Sequence, residues 1–579
     1  MGIMSTILSP FFALRFWTCV SACICAFQAS TAFAGLLAQR CSRTALQAQE
    51  DSSPAVGLDV GTTNSAVAVR RADGRFLVVP PPGAPRGRPT MPSVVAFNSE
   101  GDSVVGLKAL RVKHISQKQV VFHSMKRLLG RTYEEAHQIG LRPSELGADP
   151  SGQAREIVRL LLPGGRVISV EEVVAVLIKE LVKIAENYLG QPIKRAILGV
   201  PVRWNKYQKR ALEYAAELAG LETVRLVPEP ELAVRAYGVR TSPNADIVTG
   251  GGNLGPRPRN FKGKVEIEAT AQRLEENPYS ASAEELDTFR ESMKKIQNPT
   301  AKHILVADLG GGTFDVCIVR QWVEWDEIHI QFTSGDERLG GNDFDNALTT
   351  WCLKQMKPEM QRLKKWPLSR ESQDELRILA KKAKERLSSS DSAEILFGPF
   401  KATVTRDNFR VICLDVLKRL LVPIREAAYG SHLRLPFESL AEEALDVAER
   451  STKRKKRRMT ERDLRTRSKQ LRSKHQKGDV EDDDEIMIDE ILLIGAATWN
   501  PAVREILALV TGVTPSSASI DPETSVALGA AILASIMDQQ MTDMQVHSPW
   551  RSAWVEYLMK KPSLLKKFEE EQQSKMGAG

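Results

Sequence analysis

Two short segments of the chain end an apolar run on an aspartate and follow it at once with glycine and threonine. The first is Val56-Gly57-Leu58-Asp59-Val60-Gly61-Thr62-Thr63-Asn64-Ser65-Ala66-Val67-Ala68-Val69, and the second is Leu305-Val306-Ala307-Asp308-Leu309-Gly310-Gly311-Gly312-Thr313-Phe314-Asp315-Val316-Cys317-Ile318-Val319. Each reads as strand, tight turn, strand, because an apolar run enters and a β-branched run returns. Glycine lets backbone N–H groups converge on an anion with no Cβ in the way, threonine adds a hydroxyl donor, and aspartate can hold Mg²⁺ through water. A lone D-x-G-T is a plain hairpin; two, far apart in one chain, suggest a duplicated two-lobed protein gripping a polyphosphate from both sides. Other nucleotide motifs fail on context. Gly250-Gly251-Gly252-Asn253-Leu254-Gly255 satisfies G-x-G-x-x-G, but Pro256-Arg257-Pro258 follows where a helix must begin, and no G-x-x-x-x-G-K-[ST] occurs, which excludes the P-loop class.

Positioning two such turns needs two sheets with their own cores. The 579 residues suffice, at roughly 150 residues per domain. Hydrophobic residues make up 42% and charged residues 26%, the proportions of a globular chain rather than a disordered one. The formal net charge of +8 is local: from Lys453 to Lys477 stand 13 lysines and arginines against Glu461 and Asp463, which leaves the remainder slightly acidic. The acidic run Glu481-Asp482-Asp483-Asp484-Glu485 follows, and opposite blocks without interleaved aromatics predict a solvated arm rather than a nucleic-acid surface. Of seven cysteines four lie in the first 41 residues, and Cys317, Cys352 and Cys413 stand far apart, a pattern that supports neither a disulfide framework nor a zinc site.

No acidic residue occurs before Glu50. Arg15 precedes an apolar run from Phe16 to Phe27, Ala32-Phe33-Ala34 fits a small-residue cleavage site, and Gly35 to Gln49 carries Arg40, Ser42, Arg43 and Thr44 without acids. Residues 1–49 therefore read as a secretory signal followed by a transit-like stretch. They resemble the bipartite presequences of algae whose plastids are reached through the secretory route, with the endoplasmic reticulum lumen as the alternative. No later run of 18 apolar residues exists, which predicts no membrane span in the mature chain.

The two hairpins belong to an ordered series with Gly199-Val200-Pro201-Val202-Arg203-Trp204-Asn205, Val227-Pro228-Glu229-Pro230, Gly335-Asp336, Leu339-Gly340-Gly341-Asn342-Asp343-Phe344-Asp345 and Leu493-Ile494-Gly495. The series resembles the ATPase domain of the seventy-kilodalton heat-shock protein family over about residues 54–537. The resemblance implies an α/β, actin-like two-lobed ATPase fold of duplicated ribonuclease-H-like lobes. Lobe I would occupy 54–238 and lobe II 303–537, with insertions at 239–302 and 430–485 and a tail at 538–579. It implies ATP or ADP with Mg²⁺, and as partners a J-protein co-chaperone, a nucleotide-exchange factor and other chaperones or client proteins. Asp59 and Asp308 would organise Mg²⁺ through its waters. Gly61, Thr62, Thr63, Gly310, Gly311, Gly312 and Thr313 would cradle the β- and γ-phosphates, and phosphoryl transfer needs mainly such positioned donors and charge. Lys126 sits where the family places its catalytic lysine, which orients the attacking water. Glu229 matches the carboxylate that helps hold the metal's water shell, and Asp315 matches a second acid. Gly340, Gly341, Lys384, Ser388, Gly495 and Glu523 match further nucleotide-binding positions.

The adenosine half departs from the family pattern. Lys381 stands for a glutamate, and Glu385 occupies a position where arginine or an aliphatic residue lies over the base, so that Glu385→Arg is expected to tighten ADP binding. Gly495-Ala496-Ala497-Thr498-Trp499-Asn500-Pro501 adds a Cβ near the α-phosphate, loses a hydroxyl and replaces an arginine by Trp499, which offers its own stacking surface. Lys209 holds the place of an arginine that relays ATP binding in the family, keeping the charge without the bidentate fork. The series from Asp521 to Ala531 reads as a helix with a small-residue face closing the second lobe. Replacing 430–485 by a linker is expected to preserve folding. The tail is too short for a peptide-binding β-sandwich with a helical lid, and Trp550, Trp554, Tyr557 and Leu558 would dock a short helix on the body. The reading is a chaperone ATPase hydrolysing Mg·ATP slowly and assisting folding through partners. The alternative is a nucleotide-gated scaffold that does not hydrolyse.

Overall fold

Apolar runs of the first hairpin and its neighbours build one sheet, and those of the second build another on the same plan. In the computed structural model, residues 53–85, 88–111, 119–139, 151–241, 301–322, 327–364, 366–433, 435, 488–515, 521–538 and 545–547 are described. Strands β1 (Ala55–Asp59), β2 (Asn64–Arg70) and β3 (Phe76–Val78) form an antiparallel meander. β4 (Arg195–Val200) and β5 (Thr223–Pro228) extend it in parallel on the far side of β1, giving the order β5-β4-β1-β2-β3. In the second lobe β6 (Ala301–Leu309), β7 (Phe314–Trp322) and β8 (Glu327–Asp336) repeat the meander. β9 (Glu490–Ile494) runs parallel to β6, and β10 (Gln545–His547) pairs in parallel with the outer edge of β8. Thus β1, β2, β3 and β4 find counterparts in β6, β7, β8 and β9, the duplication that the paired hairpins foretold.

Helices complete each lobe through side-chain periodicity and explicit caps. On the first, α1 (Val170–Leu189) starts from a capping box in which Ser169 and Glu172 satisfy each other's backbone N–H, and ends at Gly190 in the left-handed region. α2 (Lys206–Leu218) starts from the equivalent box of Asn205 and Gln208. α1 lays Val173, Val174, Leu177, Ile178 and Leu181 onto a core that includes Val56, Leu58 and Leu198 of the sheet. The last helix of the lobe is α3 (Glu229–Thr241). In the second lobe, α4 (Gly341–Arg362), α5 (Arg370–Arg386), α6 (Leu414–Gly430) and α7 (Pro501–Thr511) enclose a core with Leu305, Phe314, Phe344, Phe409 and Leu420. α7 places Pro501 at its first turn, where no N–H is needed, with the Asn500 side chain accepting from Ala502 N–H. Cys317, Cys352 and Cys413 are free and buried, and burial pushes their thiols up. No helix among the described residues is long and apolar enough to cross a membrane.

The final helix corrects one expectation. α8 (Ser525–Met537) does not close the second lobe; it packs on β1, β2 and β4 of the first and against α3. Its continuation Asp538 pairs with Arg195 of β4 at 2.8 Å. α3 in turn reaches β6 and β7 of the second sheet, so each lobe lends a helix to the other. Both helices share an apolar core with both sheets, including Leu232, Ile197, Val306 and Leu528. The reason is size: a methyl at Gly529 would meet Leu232 O at 1.8 Å, so the two helix backbones touch where no side chain fits.

Gly430 ends α6, Leu433 is 5% exposed within the second lobe's core, and Leu435 packs against that core, so these residues belong to the second lobe. The leader, the helical stretch 281–296, the basic and acidic runs and the tryptophans of the tail lie outside the described residues. Excising 436–485 should leave stability near that of the full chain, since loop closure is cheap. Excising 430–485 should cost about 2–4 kcal/mol through loss of the buried leucine. Urea denaturation of the two deletants, followed by circular dichroism, checks this; equal stabilities would refute the placement of Leu433.

Candidate active site

Each half of the site begins where a central strand ends. β1 delivers Asp59 and β6 delivers Asp308, and each passes into a glycine-threonine turn, Gly61-Thr62-Thr63 or Gly310-Gly311-Gly312-Thr313. The second turn is closed by Gly310 N–H donating to Thr313 O at 3.1 Å, which leaves Asp308 opposite Asp315 in the ladder. The two turns approach each other, since a methyl on Gly311 would lie 2.1 Å from Thr63 Oγ1; the start of α4 lies against its own lobe's turn, since one on Gly340 would lie 2.4 Å from Gly312 N. Gly341 N–H donates to Gly310 O and Asn342 N–H to Gly311 O, both at 2.9 Å, so the start of α4 is fastened to the turn. Gly495, after β9, receives its place from its own N–H donating to Pro522 O at 2.9 Å.

Lys126 enters this space from a 3-10 turn, Met125–Leu128. Its Nζ donates to Glu229 Oε1 at 2.5 Å, at the start of α3, and stands 5.5 Å from the centroid of the Trp204 ring. Burial works against the ammonium, yet Glu229, Asp59 and Asp308 together hold its pKa above the ordinary lysine value. The acids bear the cost. Asp59 keeps some surface on the cleft but is desolvated enough, with Glu229 nearby, to be pushed up to about 7. Burial, then Glu229, raises Asp308 and Asp315 well above the carboxylate range. Asp315 Oδ2 is buried without a hydrogen-bond partner.

The adenosine-side residues are held differently. Lys384 donates to Gly341 O at 2.9 Å and pairs with Asp345 at 2.7 Å, so its charge is engaged within the second lobe. Ser388 is exposed just past α5, and Glu385 is exposed 4.0 Å from Lys381. Glu523 accepts from Thr90 Oγ1 of the first lobe at 3.4 Å, and burial raises it, with Asp521 adding to the shift. Trp499 is 37% exposed, with the Arg504 guanidinium 5.8 Å from its ring centroid. Arg127, Arg131, Trp204 and Asp345 were not legible as site residues; Arg127 reads as an ordinary basic neighbour of Lys126 until the fold brings it beside the turns.

These features suit a polyphosphate with a hydrated divalent cation. Four carboxylates, Asp59, Glu229, Asp308 and Asp315, act on one ammonium, Asp315 has an orphaned oxygen, and the glycine turns leave a cradle that any Cβ would fill. Among the described residues no three His, Cys, Asp or Glu side chains converge to ligate an ion directly, so Asp59 and Asp308 would act on its water shell, as suits Mg²⁺.

A site tuned for a cation destabilises the protein that lacks one. A carboxyl raised in the folded state contributes stability below its unfolded value, 3.8, and loses it as pH rises through the folded value. Asp308→Asn should therefore raise the stability of the metal- and nucleotide-free protein at pH 8 by about 1–2 kcal/mol, a gain that shrinks towards pH 4. Thermal unfolding at the two pH values checks it; an unchanged or lower midpoint at pH 8 would contradict the electrostatics.

Comparison with known proteins fits this geometry. The family model described as Hsp70 protein matches residues 55–254, 292–433 and 426–548. Chaperone protein dnaK1 of Prochlorococcus marinus is 27% identical over 84% of this chain and 57% of its own length. Chaperone protein dnaK of Guillardia theta is 28% identical over 84% of this chain and 61% of its own, and Chaperone protein DnaK of Thermus thermophilus 28% over 85% and 62%. The chain thus spans between 51% and 62% of the length of these and other curated relatives that it matches. With the family matched over most of the sequence and two duplicated sheets carrying its paired glycine-threonine turns, the chain belongs to the Hsp70 family and has the actin-like ATPase fold.

Proposed function

We propose that this chain binds Mg·ATP between the two turns and hydrolyses it slowly, as the ATPase part of a chaperone. The observation that carries the reading is the Lys126 ammonium, fixed at 2.5 Å on Glu229 between the opposed turns. With one hydrogen engaged by Glu229 Oε1, Nζ keeps two more for a water and a phosphate oxygen. Thr62, Thr63 and Thr313 offer hydroxyls, and Gly311 and Gly312 offer N–H groups, to the β- and γ-phosphates. Water attacks the γ-phosphorus as the bond to the bridging oxygen breaks, leaving ADP and inorganic phosphate. Bound Mg²⁺, held through water by Asp59 and Asp308, would supply charge neutralisation of the phosphate oxygens.

Members of the family bind ATP and ADP with Mg²⁺ and work with J-protein and nucleotide-exchange co-chaperones. The same partners, and client proteins reached through them, are proposed here. For location we propose the plastid, supported by the leader's composition and by relatives from cyanobacteria and a plastid-bearing alga. The second reading, a nucleotide-gated scaffold without hydrolysis, is favoured by the engagement of Lys384 with Asp345 and by Ala496 in the α-phosphate turn.

Calorimetric titration with ATP and ADP, followed by a single-turnover assay, decides between them. Lys126→Ala should leave ATP affinity within a few-fold and slow hydrolysis by roughly two orders of magnitude, the scale of lost transition-state stabilisation. Equal turnover in both proteins, or none in the native chain, would remove the hydrolytic reading and leave the scaffold.

A further inference from the structure

A row of polar side chains crosses the second lobe's sheet at the end opposite its glycine-threonine turn. His303 of β6 stands opposite Arg320 of β7, and Arg320 stands opposite His329 of β8. Asp489, just before β9, is fastened to the same row: its N–H donates to His303 O at 2.8 Å, and its Oδ2 accepts from His303 N–H at 2.9 Å. Directly opposed residues share a face of a sheet, so His303, Arg320 and His329 form one stripe. Two strand spacings, roughly 10 Å, separate Asp489 from Arg320. His303 lies about 16 Å of strand away from Asp308, which places the stripe outside the cleft.

The stripe lacks negative charge where it has donors. Arg320 makes no ion pair among the described residues; its Nε is buried without a hydrogen-bond partner, and its guanidinium carbon lies 4.6 Å from the centroid of the Trp322 ring. The Trp322 and His329 rings meet edge to face with centroids 4.6 Å apart, which fixes the indole beside the cation. His303 is 6% exposed, and its Nε2 is likewise buried without a partner. Burial, with the Arg320 charge adding to it, pushes the imidazole down to about 4, so at neutral pH it offers a hydrogen bond rather than a charge. Asp489 reaches only the other edge of this ring, 3.9 Å from Nδ1, and leaves Nε2 and Arg320 unsatisfied.

Two unsatisfied donors one strand apart suit a carboxylate. The chain carries five in succession, Glu481-Asp482-Asp483-Asp484-Glu485, shortly before Ile488, which is 2% exposed in the second lobe's core. From Ile488, Glu485 and Glu481 can reach at most about 10 and 25 Å, enough to span the distance to Arg320. Tethering on that length gives carboxylates at Arg320 an effective concentration on the order of millimolar.

We propose that the Arg320–His303 stripe is the docking site of this acidic run, so that the run is satisfied by the second lobe rather than by the basic run Lys453 to Lys477. Arg320 is half-buried and already fixed against Trp322, so pairing there orders little, whereas contacts between solvated blocks are weak and screened by salt. The inference is independent of the nucleotide reading.

The test is zero-length cross-linking of the full chain with carbodiimide, which joins an amine to a carboxylate only where the two touch. In the Arg320→Lys variant, mass spectrometry should find amide bonds from position 320 to Glu481–Glu485 within single chains. Roughly 1 M salt, which shortens the screening length to about 3 Å, should cut their yield several-fold. Replacing Asp482, Asp483 and Asp484 together by asparagine should also cut it several-fold. Arg320→Gln and that triple variant, each without cross-linker, should speed amide hydrogen exchange through residues 479–487 several-fold relative to the native chain. If Arg320→Gln does not fold, Arg320→Lys and the triple variant still decide. Cross-links from position 320 only to other acids, from Glu481–Glu485 only to lysines of the basic run, or only between isotope-distinct copies would each overturn the proposal, as would unchanged exchange in the triple variant.

Discussion

One ammonium held among four carboxylates is the interaction on which the rest of this structure depends. Lys126 comes from a 3-10 turn of the first lobe, Glu229 from the helix that crosses between lobes, Asp59 from one central strand, and Asp308 and Asp315 from the other sheet. No single lobe contains the set. Low local dielectric strengthens the attraction and also raises the acids. The fold sustains an unfavourable arrangement at this cluster, and the two apolar lobes supply the stability that offsets it.

The cluster can assemble because backbones come close where side chains are missing. Gly311 lies against Thr63, Gly340 against Gly312 and Gly529 against Leu232, each at a distance that a methyl would violate. The first brings the two glycine-threonine turns together, and the second seats the start of α4 on its own lobe's turn. The third lets α8 cross onto the first lobe's sheet while α3 reaches the second, so the apolar core is continuous through the join. Non-directional apolar contact holds the lobes to each other, and polar contacts at the rim set their register.

Those rim contacts differ in kind. The pair of Arg203 with Glu426 is half exposed and contributes little by itself, although Ser334 shares the same carboxylate. The pair of Arg131 with Glu337 is largely removed from water, so breaking it leaves a buried charge without its partner. The buried charge of the cleft is therefore concentrated around Lys126 and Arg131. Elsewhere Lys384 is engaged by Asp345 and the Gly341 carbonyl, and Glu385 faces solvent beside Lys381.

The sequence by itself determined the local parts. Two apolar runs ending in Asp59 and Asp308, with glycine and threonine after them, can only be hairpins that present donors, because strand, turn and return are written within about fifteen residues by rules of short range. The order of these and later motifs also carried the family and the two-lobed plan. What the tertiary structure alone decided is every pairing across long separations. The small-residue face of α8 says that some backbone approaches closely, but not which lobe it serves; Leu433 is apolar like many loop residues until the second lobe buries it. Lys126 needs Glu229, Arg131 needs Glu337 and Lys384 needs Asp345, and charge complementarity between side chains is satisfied by any opposite partner in reach. Only the packing of the two sheets with their exchanged helices fixes which partner that is.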